Sequence, residues 1–246
     1  MTPEEKFIVD LDGYMVFKNV LTTDEVAEMN AFIDSGSPKG RRPSLWADPF
    51  KNLIDHPKIL PYLLELIGPT VRLDHDYSIL MDKGDRKGGL HGGEDGGRPG
   101  GHEGDHWYKY RDGVTRHGLC VVSYMLADAA EGDGGFACVP GSHKSNFISA
   151  IPADVRNYER QPHYVVQPAV EAGDALFFTE ALVHGTIPWS AAHQRRSLLF
   201  KYSPGHSAWN SDYPRAEDYG DISERQRRLL LPPSIGRRPR VDEVEV

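Results

Sequence analysis

The octapeptide LCVVSYML, residues 119–126, decides the fold class of this chain of 246 residues. It is an almost unbroken apolar run of strand length, which predicts a central strand buried on both faces. Turns rich in glycine or proline, such as residues 132–135, separate the shorter apolar runs that follow. These runs cover residues 136–139, 164–168, 175–178, 182–187 and 197–202. Many short strands at this spacing predict a mainly β fold, namely a sandwich, barrel or jelly roll.

Helical patterns lie on the N-terminal side of this β region. After a short strand pattern at residues 14–17, Thr22 and Glu25 have the spacing of a capping box, which predicts an amphipathic helix. A second apolar helical stripe lies between Pro57 and Gly68. We expect both helices to pack on the outside of the sheet.

A long strand and a long loop connect these helices to the central strand. Alternate residues from 71 to 81 are apolar or aromatic, and a period of two predicts that they share one face. Residues 84–106 are dense in glycine, histidine and acidic residues, and loops of such length in compact domains are usually functional or disordered.

The predicted divisions of this single domain, 1–246, are a helical flank (1–69), a jelly-roll core (70–204) and a C-terminal extension (205–246).

Composition excludes several classes of protein. The formal net charge is −8, so the chain lacks the broad basic surface of a nucleic-acid binder. No apolar stretch approaches the length needed to cross a bilayer, and residues 1–10 lack the apolar region of a signal peptide. Cys120 and Cys138 lie in apolar surroundings without metal-ligand spacing. They predict buried free thiols, as expected in the cytoplasm.

Two histidines and an arginine form the pattern that carries chemistry. His91 stands at the start of the glycine-rich loop, and His184 lies in a strand pattern 93 residues later. Arg195 follows His184 by eleven residues. A neutral imidazole suits Fe(II), and a guanidinium suits a bidentate carboxylate. A metal beside a carboxylate clamp is what a 2-oxoacid cosubstrate requires.

Several segments resemble the phytanoyl-CoA dioxygenase-like group of iron(II)/2-oxoglutarate oxygenases. The most specific are GGFACVPGSHK at residues 134–144 and the spacing of His184-Gly185-Thr186 to Arg195. The sequences DGYMVF at residues 12–17 and GDALFF at residues 173–178 support them. The resemblance spans most of the chain, and it implies a double-stranded β-helix, which is a jelly-roll, cupin-like fold.

The resemblance also implies roles for particular residues. His91 and His184 would be the two histidine ligands of Fe(II), and Arg195 would bind the distal carboxylate of 2-oxoglutarate. Ser197 or Thr186 would assist Arg195. The implied cosubstrates are 2-oxoglutarate and O2.

Aromatic residues of the predicted strands are candidates to line the pocket. Tyr124 on the central strand is one, and we expect it to contact the cosubstrate; His75 and Tyr77 on the long strand before it are others. Packing in an ordinary barrel wall would explain them equally well.

The sequence departs from the family pattern at the carboxylate ligand. The motif of such enzymes is His-X-Asp/Glu, but Gly93 occupies the acidic position. In one explanation, Glu94, or less favourably Asp105, supplies the carboxylate from the loop. In a second, a halide fills the open position, as in halogenases of this type. Alternatively a loop histidine would ligate the metal (His102 or His106), or His102 with Asp105 would form the motif.

These alternatives define the expected functions. Hydroxylation of an unactivated C–H bond of a small molecule is favoured, and halogenation with chloride beside Gly93 is second. The substrate is expected to be polar or anionic, with no nucleic-acid or membrane partner. A different class, a non-catalytic jelly roll that binds a metal or ligand, would explain the fold but would leave Arg195 without a role.

Overall fold

Nine β-strands build the protein, which the computed structural model describes over residues 1–86, 88–93 and 106–244. In chain order they are β1 (Tyr14–Phe17), β2 (Arg72–Met81), β3 (Tyr108–Arg111), β4 (Val114–His117), β5 (Cys120–Met125), β6 (Gly135–Cys138), β7 (Ala175–Thr179), β8 (His184–Ile187) and β9 (Arg195–Ser203). Five of them form an antiparallel sheet in the order β1-β7-β5-β9-β2. The predicted central strand therefore occupies the middle of the main sheet.

A second, smaller sheet faces the first. Strands β6 and β8 form its centre, and single-residue bridges extend it at both edges: His91 pairs with His184, and Val166 pairs with Cys138. Apolar residues from both sheets fill the space between them, Val121, Met125 and Leu199 among them. Two antiparallel sheets around one core confirm the predicted mainly β, jelly-roll fold.

Within the described residues, five helices cover the outer face of the main sheet, and a sixth, Ala153–Arg156, packs on the smaller sheet through Val155. Their bounds are α1 (Pro3–Asp12), α2 (Thr23–Asp34), α3 (Asp48–Lys51), α4 (Leu60–Leu66), α5 (Ala153–Arg156) and α6 (Glu224–Leu229). The capping box of Thr22 and Glu25 is present at α2, where each residue satisfies a backbone N–H of the other. The outer core joins the five helices other than α5 to the outward side chains of β5, β7 and β9, such as Val122, Phe177 and Phe200.

A β-bulge in β2 changes which side chains face the interior. Leu73 pairs with Tyr202 and His75 pairs with Lys201, so Asp74 is an extra residue on β2. Leu73 therefore packs against the helices, whereas Tyr77 packs between the sheets. The expectation that residues 71–81 share one face is wrong, because the bulge inverts the alternation.

The remaining differences from the sequence predictions are local. Residues 164–168 contribute only the bridge at Val166, and β3 and β4 form a hairpin that the sequence pattern did not indicate. Cys120 and Cys138 are buried thiols and do not form a disulfide, as predicted. Within the described ranges, none of the helices has the length and apolar character needed to cross a membrane.

Candidate active site

His91 and His184 are held side by side by the backbone of the smaller sheet. Each N–H donates to the carbonyl of the other at 2.8 Å, and the ring centroids are 4.5 Å apart. His184 is buried, whereas His91 is exposed. Two imidazoles separated by 93 residues in the chain are thus brought to one point.

Hydrogen bonds to both rings leave the same nitrogen free. Nδ1 of His91 lies 2.8 Å from the carbonyl oxygen of Gly89, and Nδ1 of His184 lies 2.8 Å from that of Leu182. A carbonyl can only accept, so both Nδ1 atoms carry the proton and both Nε2 atoms keep a lone pair. Burial lowers the pKa of His184 to about 4, which keeps its imidazole neutral at pH 7. This is the state in which histidine binds a metal.

The backbone conformation after His91 explains why two glycines follow it. Gly92 and Gly93 have φ angles of 106° and 88°, which side chains with a Cβ rarely adopt. A Cβ on Gly92 would lie 2.4 Å from the carbonyl oxygen of Leu182. The N–H of Gly93 donates to the carbonyl of Glu180 at 3.1 Å. Glycine at position 93 therefore has a conformational reason that is independent of any halide.

Substitution of Gly92 tests this close approach. Gly92→Ala is expected to lower the unfolding free energy by about 1–3 kcal/mol more than the same substitution at a glycine with open space around it. The backbone must shift to admit the Cβ. The control is Gly84→Ala, since Gly84 also has a positive φ, 94°, but a Cβ there meets nothing within 4 Å. Urea unfolding measures both variants, and equal losses would contradict the proposed contact.

A cavity of about 250 Å³ opens beside the two histidines. The lining residues come from both sheets and from the segment before His91: Tyr77, Ser78, Ile79, Gly88, His91, Ser123, Phe136, Phe178, His184, Gly185, Thr186, Arg195 and Leu199. Of the predicted site residues, the cavity thus brings together His91, His184, Thr186 and Arg195.

Arg195 is a buried cation without a carboxylate partner among the residues that the structure describes. Only 5% of its surface is exposed, and Nη1 lies 3.5 Å from the sulfur of Met81. Burial lowers the pKa of Arg195 to about 10, so the guanidinium stays charged at neutral pH. Its neighbour Arg196 faces the other way, where it binds Asp34 and Asn30. A buried unpaired guanidinium is costly unless an anionic ligand meets it.

The other predicted cosubstrate contacts have different outcomes. Ser197 lies on the same side of β9 as Arg195, but its hydroxyl contacts the sulfur of Met125 at 3.5 Å and it does not line the cavity. Tyr124 lies on the opposite face of the sheet, where its hydroxyl donates to the carbonyl of Leu53 at 3.1 Å. The structure therefore contradicts the predicted contact of Tyr124 with the cosubstrate, because the alternation along β5 turns it toward the helices.

A conservative substitution separates these two positions of Tyr124. Tyr124→Phe is expected to leave 2-oxoglutarate affinity unchanged and to lower the unfolding free energy by about 0.5–1.5 kcal/mol, the usual net value of one hydrogen bond. Equilibrium unfolding and cosubstrate titration measure the two quantities. A weakened affinity at unchanged stability would place Tyr124 in the site after all.

The sequence reasoning missed a buried ionic pair beside the histidines. Glu180 follows β7, and its Oε1 accepts from Nζ of Lys201 at 2.6 Å. Its Oε2 lies 3.8 Å from Nε2 of His184 and 3.7 Å from Nε2 of His106. Burial alone would raise the pKa of Glu180, but Lys201 and the nearby His184 and His106 together outweigh it and hold that pKa below its usual range.

The predicted third metal ligands are only partly within the described ranges. Glu94, Asp105 and His102 lie outside them. His106 lies inside; its ring stacks on Trp209 with centroids 4.4 Å apart, and neither ring nitrogen has a hydrogen-bond partner there. Over residues 1–86, 88–93 and 106–244, no three His, Cys, Asp or Glu side chains already stand at metal-binding separations.

The donor set nevertheless fits a ferrous ion. Two adjacent imidazoles present Nε2 atoms that have no hydrogen-bond partner among the described residues, and a carboxylate oxygen lies within 4 Å of one of them. Nitrogen and oxygen donors of this kind suit Fe(II), and two histidines and one carboxylate with open positions are its usual setting in oxygenases.

Comparisons with known proteins agree with this chemistry. The family model described as phytanoyl-CoA dioxygenase (PhyH) matches residues 96–197. The chain is similar to HygX from Streptomyces hygroscopicus with iron bound, at 26% identity over 90% of this chain and 94% of that chain, with a TM-score of 0.72. HygX with nickel and 2-oxoglutarate bound matches at 25% identity over 89% and 94%, with a TM-score of 0.73.

A third structure of the same relative adds a small molecule. HygX with nickel, 2-oxoglutarate and hygromycin B bound is 24% identical over 89% of this chain and 95% of that chain, with a TM-score of 0.74. No curated protein matches the chain by sequence.

Proposed function

Because the chain belongs to the PhyH-like family of Fe/2-oxoglutarate-dependent enzymes, we propose that it hydroxylates an unactivated C–H bond of a small molecule. The reaction consumes O2, and 2-oxoglutarate is converted to succinate and CO2. One oxygen atom enters the substrate and the other enters succinate.

The observation that carries this proposal is the joint position of His91, His184 and Arg195. All three line one cavity, with paired imidazoles on one wall and a buried guanidinium on another. A dicarboxylate whose one end chelates a metal has a second carboxylate that needs a cationic partner. Arg195 is free to be that partner, because its only side-chain hydrogen bond in the described ranges is with the sulfur of Met81.

Each of these residues has a distinct task in the reaction. His91 and His184 would hold the iron, which when bound with 2-oxoglutarate and O2 supplies the oxidising power. Arg195 orients the cosubstrate through a planar guanidinium fork, and Thr186 lies beside it in the cavity wall. Phe136, Phe178 and Leu199 give the cavity apolar walls, which exclude water from the reacting centre.

The cavity size bears on the substrate. Its volume of about 250 Å³ is below the ~300–1,000 Å³ typical of pockets that enclose a drug-sized ligand. The cavity therefore suits the cosubstrate, and the substrate binds at the mouth, where His91 is exposed. The structure of HygX with hygromycin B bound supports a small molecule as substrate here.

Halogenation is the second candidate, because position 93 carries no carboxylate side chain. With Gly93 at the acidic position, chloride could bind the metal in place of a carboxylate. Mass spectrometry of products formed with chloride, and then bromide, separates the two reactions: a halogenated product would replace hydroxylation in the proposal.

Anaerobic titration tests the proposed function without knowledge of the substrate. Addition of Fe(II) and then 2-oxoglutarate is expected to produce a weak visible charge-transfer band that needs both components. Succinate, which lacks the 2-oxo group, is the matched control and should produce no band. If neither Fe(II) nor 2-oxoglutarate binds, the protein is a non-catalytic jelly-roll binding module.

A further inference from the structure

Glu180 places a buried carboxylate next to the paired histidines. It is the first residue after β7, four residues before His184, and only 2% of its surface is exposed. Its backbone N–H donates to the carbonyl of Leu119 at 2.9 Å. Its carbonyl accepts from Gly93, so the turn of Glu180 is tied to the segment that carries His91. The backbone thus fixes Glu180 against both histidine-bearing segments.

The two carboxylate oxygens of Glu180 have different surroundings. Oε1 receives the ammonium of Lys201 at 2.6 Å. Oε2 points toward imidazole nitrogens instead, 3.8 Å from Nε2 of His184 and 3.7 Å from Nε2 of His106. These separations are too long for hydrogen bonds. One oxygen is therefore held in place by a cation, while the other faces the nitrogen that His184 leaves free.

The ion pair with Lys201 does not account for this arrangement. Replacement of a buried ion pair by apolar side chains is often neutral or stabilising, so stability is a weak reason to bury one. The pair also explains only Oε1.

His106 is an independent sign that a cation belongs here. Its side chain is 6% exposed, and both ring nitrogens are buried without a partner in the described ranges. Buried polar atoms of this kind are rare unless an ion or water meets them. Its Nε2 lies 3.7 Å from the same Oε2 of Glu180.

We propose that Glu180 supplies the carboxylate ligand that Gly93 cannot, and that it completes a divalent metal site with His91 and His184. This inference rests on the metal site of the proposed function and identifies its third protein ligand. Oε2 of Glu180 lies 3.8 Å from Nε2 of His184, so a small movement of either side chain would let both atoms bind one metal ion. Lys201 holds the second oxygen and so orients the first toward the metal. A site with this carboxylate has no vacancy for a halide, and it favours hydroxylation.

The test measures metal binding by itself, without 2-oxoglutarate or turnover. Co(II) is titrated into the metal-free protein under anaerobic conditions, and its visible absorption and dissociation constant are recorded. Glu180→Gln keeps the shape of the side chain but removes the charge. We expect it to weaken Co(II) binding at least about 10-fold and to alter the visible spectrum.

A matched pair of variants separates a ligand from a simple counter-ion. Lys201→Met and the double variant Glu180→Gln/Lys201→Met both lack the ammonium and differ only in the carboxylate. The double variant also avoids an unpaired buried charge, so it is expected to fold if Glu180→Gln alone does not. The proposal requires Co(II) binding at least about 10-fold weaker in the double variant than in Lys201→Met. Equal affinity and equal spectra in the two would overturn it.

The outcome is distinguishable from failure of the proposed function. Loss of Co(II) binding without Glu180, in a protein that never binds 2-oxoglutarate, would support the ligand assignment and reject the oxygenase. Undiminished Co(II) binding without Glu180, together with an Fe(II)/2-oxoglutarate band, would reject the ligand assignment and leave the oxygenase standing.

Discussion

His184→Ala is expected to abolish metal-dependent turnover of 2-oxoglutarate, with a fall in kcat/KM of at least about 100-fold. Loss of a residue that only supports a metal ligand typically costs about 10–100-fold, so a larger loss marks a ligand itself. His184 meets the requirements for one: its Nδ1 is fixed by the carbonyl of Leu182 at 2.8 Å, and its Nε2 is free beside His91. Succinate formation measures the effect.

The control for this prediction is another histidine. His163 is exposed and lies outside the cavity, so His163→Ala should retain full turnover. Thermal unfolding establishes whether His184→Ala is folded, and the backbone bridge to His91 does not depend on the side chain. Normal turnover by folded His184→Ala would refute its role as a ligand.

The sequence predicted the site wherever local pattern determines side-chain direction. His184 and Arg195 are the first residues of β8 and β9, within or next to strand patterns that the sequence shows at residues 182–187 and 197–202. Alternation then separates Arg195 from Arg196, and the structure turns the first toward the cavity and the second toward Asp34. The meeting of His91 with His184 is not local, and only the family resemblance implied it.

The side of the sheet that faces the cavity could not be predicted from period two alone. Alternation shows which residues share a face, but not which face the helices cover. Tyr124 was therefore assigned to the pocket, whereas it contacts the helical layer through Leu53. On β2 one extra residue, Asp74, reverses the faces within a single strand, and no residue type in that strand signals a bulge.

Glu180 and Lys201 were missed although the sequence contains a signal for both. Each is a lone charge within an otherwise apolar stretch, ALFFTEALV for the first and SLLFKY for the second. A charged side chain in a buried strand needs a partner. Two such side chains of opposite charge therefore predict an ion pair between them. The proximity of that pair to His184 depends on the turn between β7 and β8, which the pattern does not specify.

Arg195→Met is expected to weaken 2-oxoglutarate binding by roughly 30-fold or more, with a smaller effect on kcat at saturating cosubstrate. Removal of one partner from a buried charge pair costs about 2–5 kcal/mol, and each 1.4 kcal/mol is about tenfold in affinity. Without ligand the substitution removes a buried charge that has no carboxylate partner in the described ranges, so the melting temperature should not fall. Titration of the Fe(II) protein with 2-oxoglutarate, together with thermal unfolding, measures both effects.

Two further variants decide whether Arg195 acts as a fork or as a plain charge. Arg195→Lys keeps the charge but loses bidentate geometry, so its affinity should lie between those of the wild type and Arg195→Met. Arg196→Met is the positional control, because Arg196 binds Asn30 and Asp34 on the other face of β9, away from the cavity. It should bind 2-oxoglutarate normally. If Arg196→Met loses affinity while Arg195→Met does not, the clamp lies on the opposite face, and the cavity beside His184 is not where 2-oxoglutarate binds.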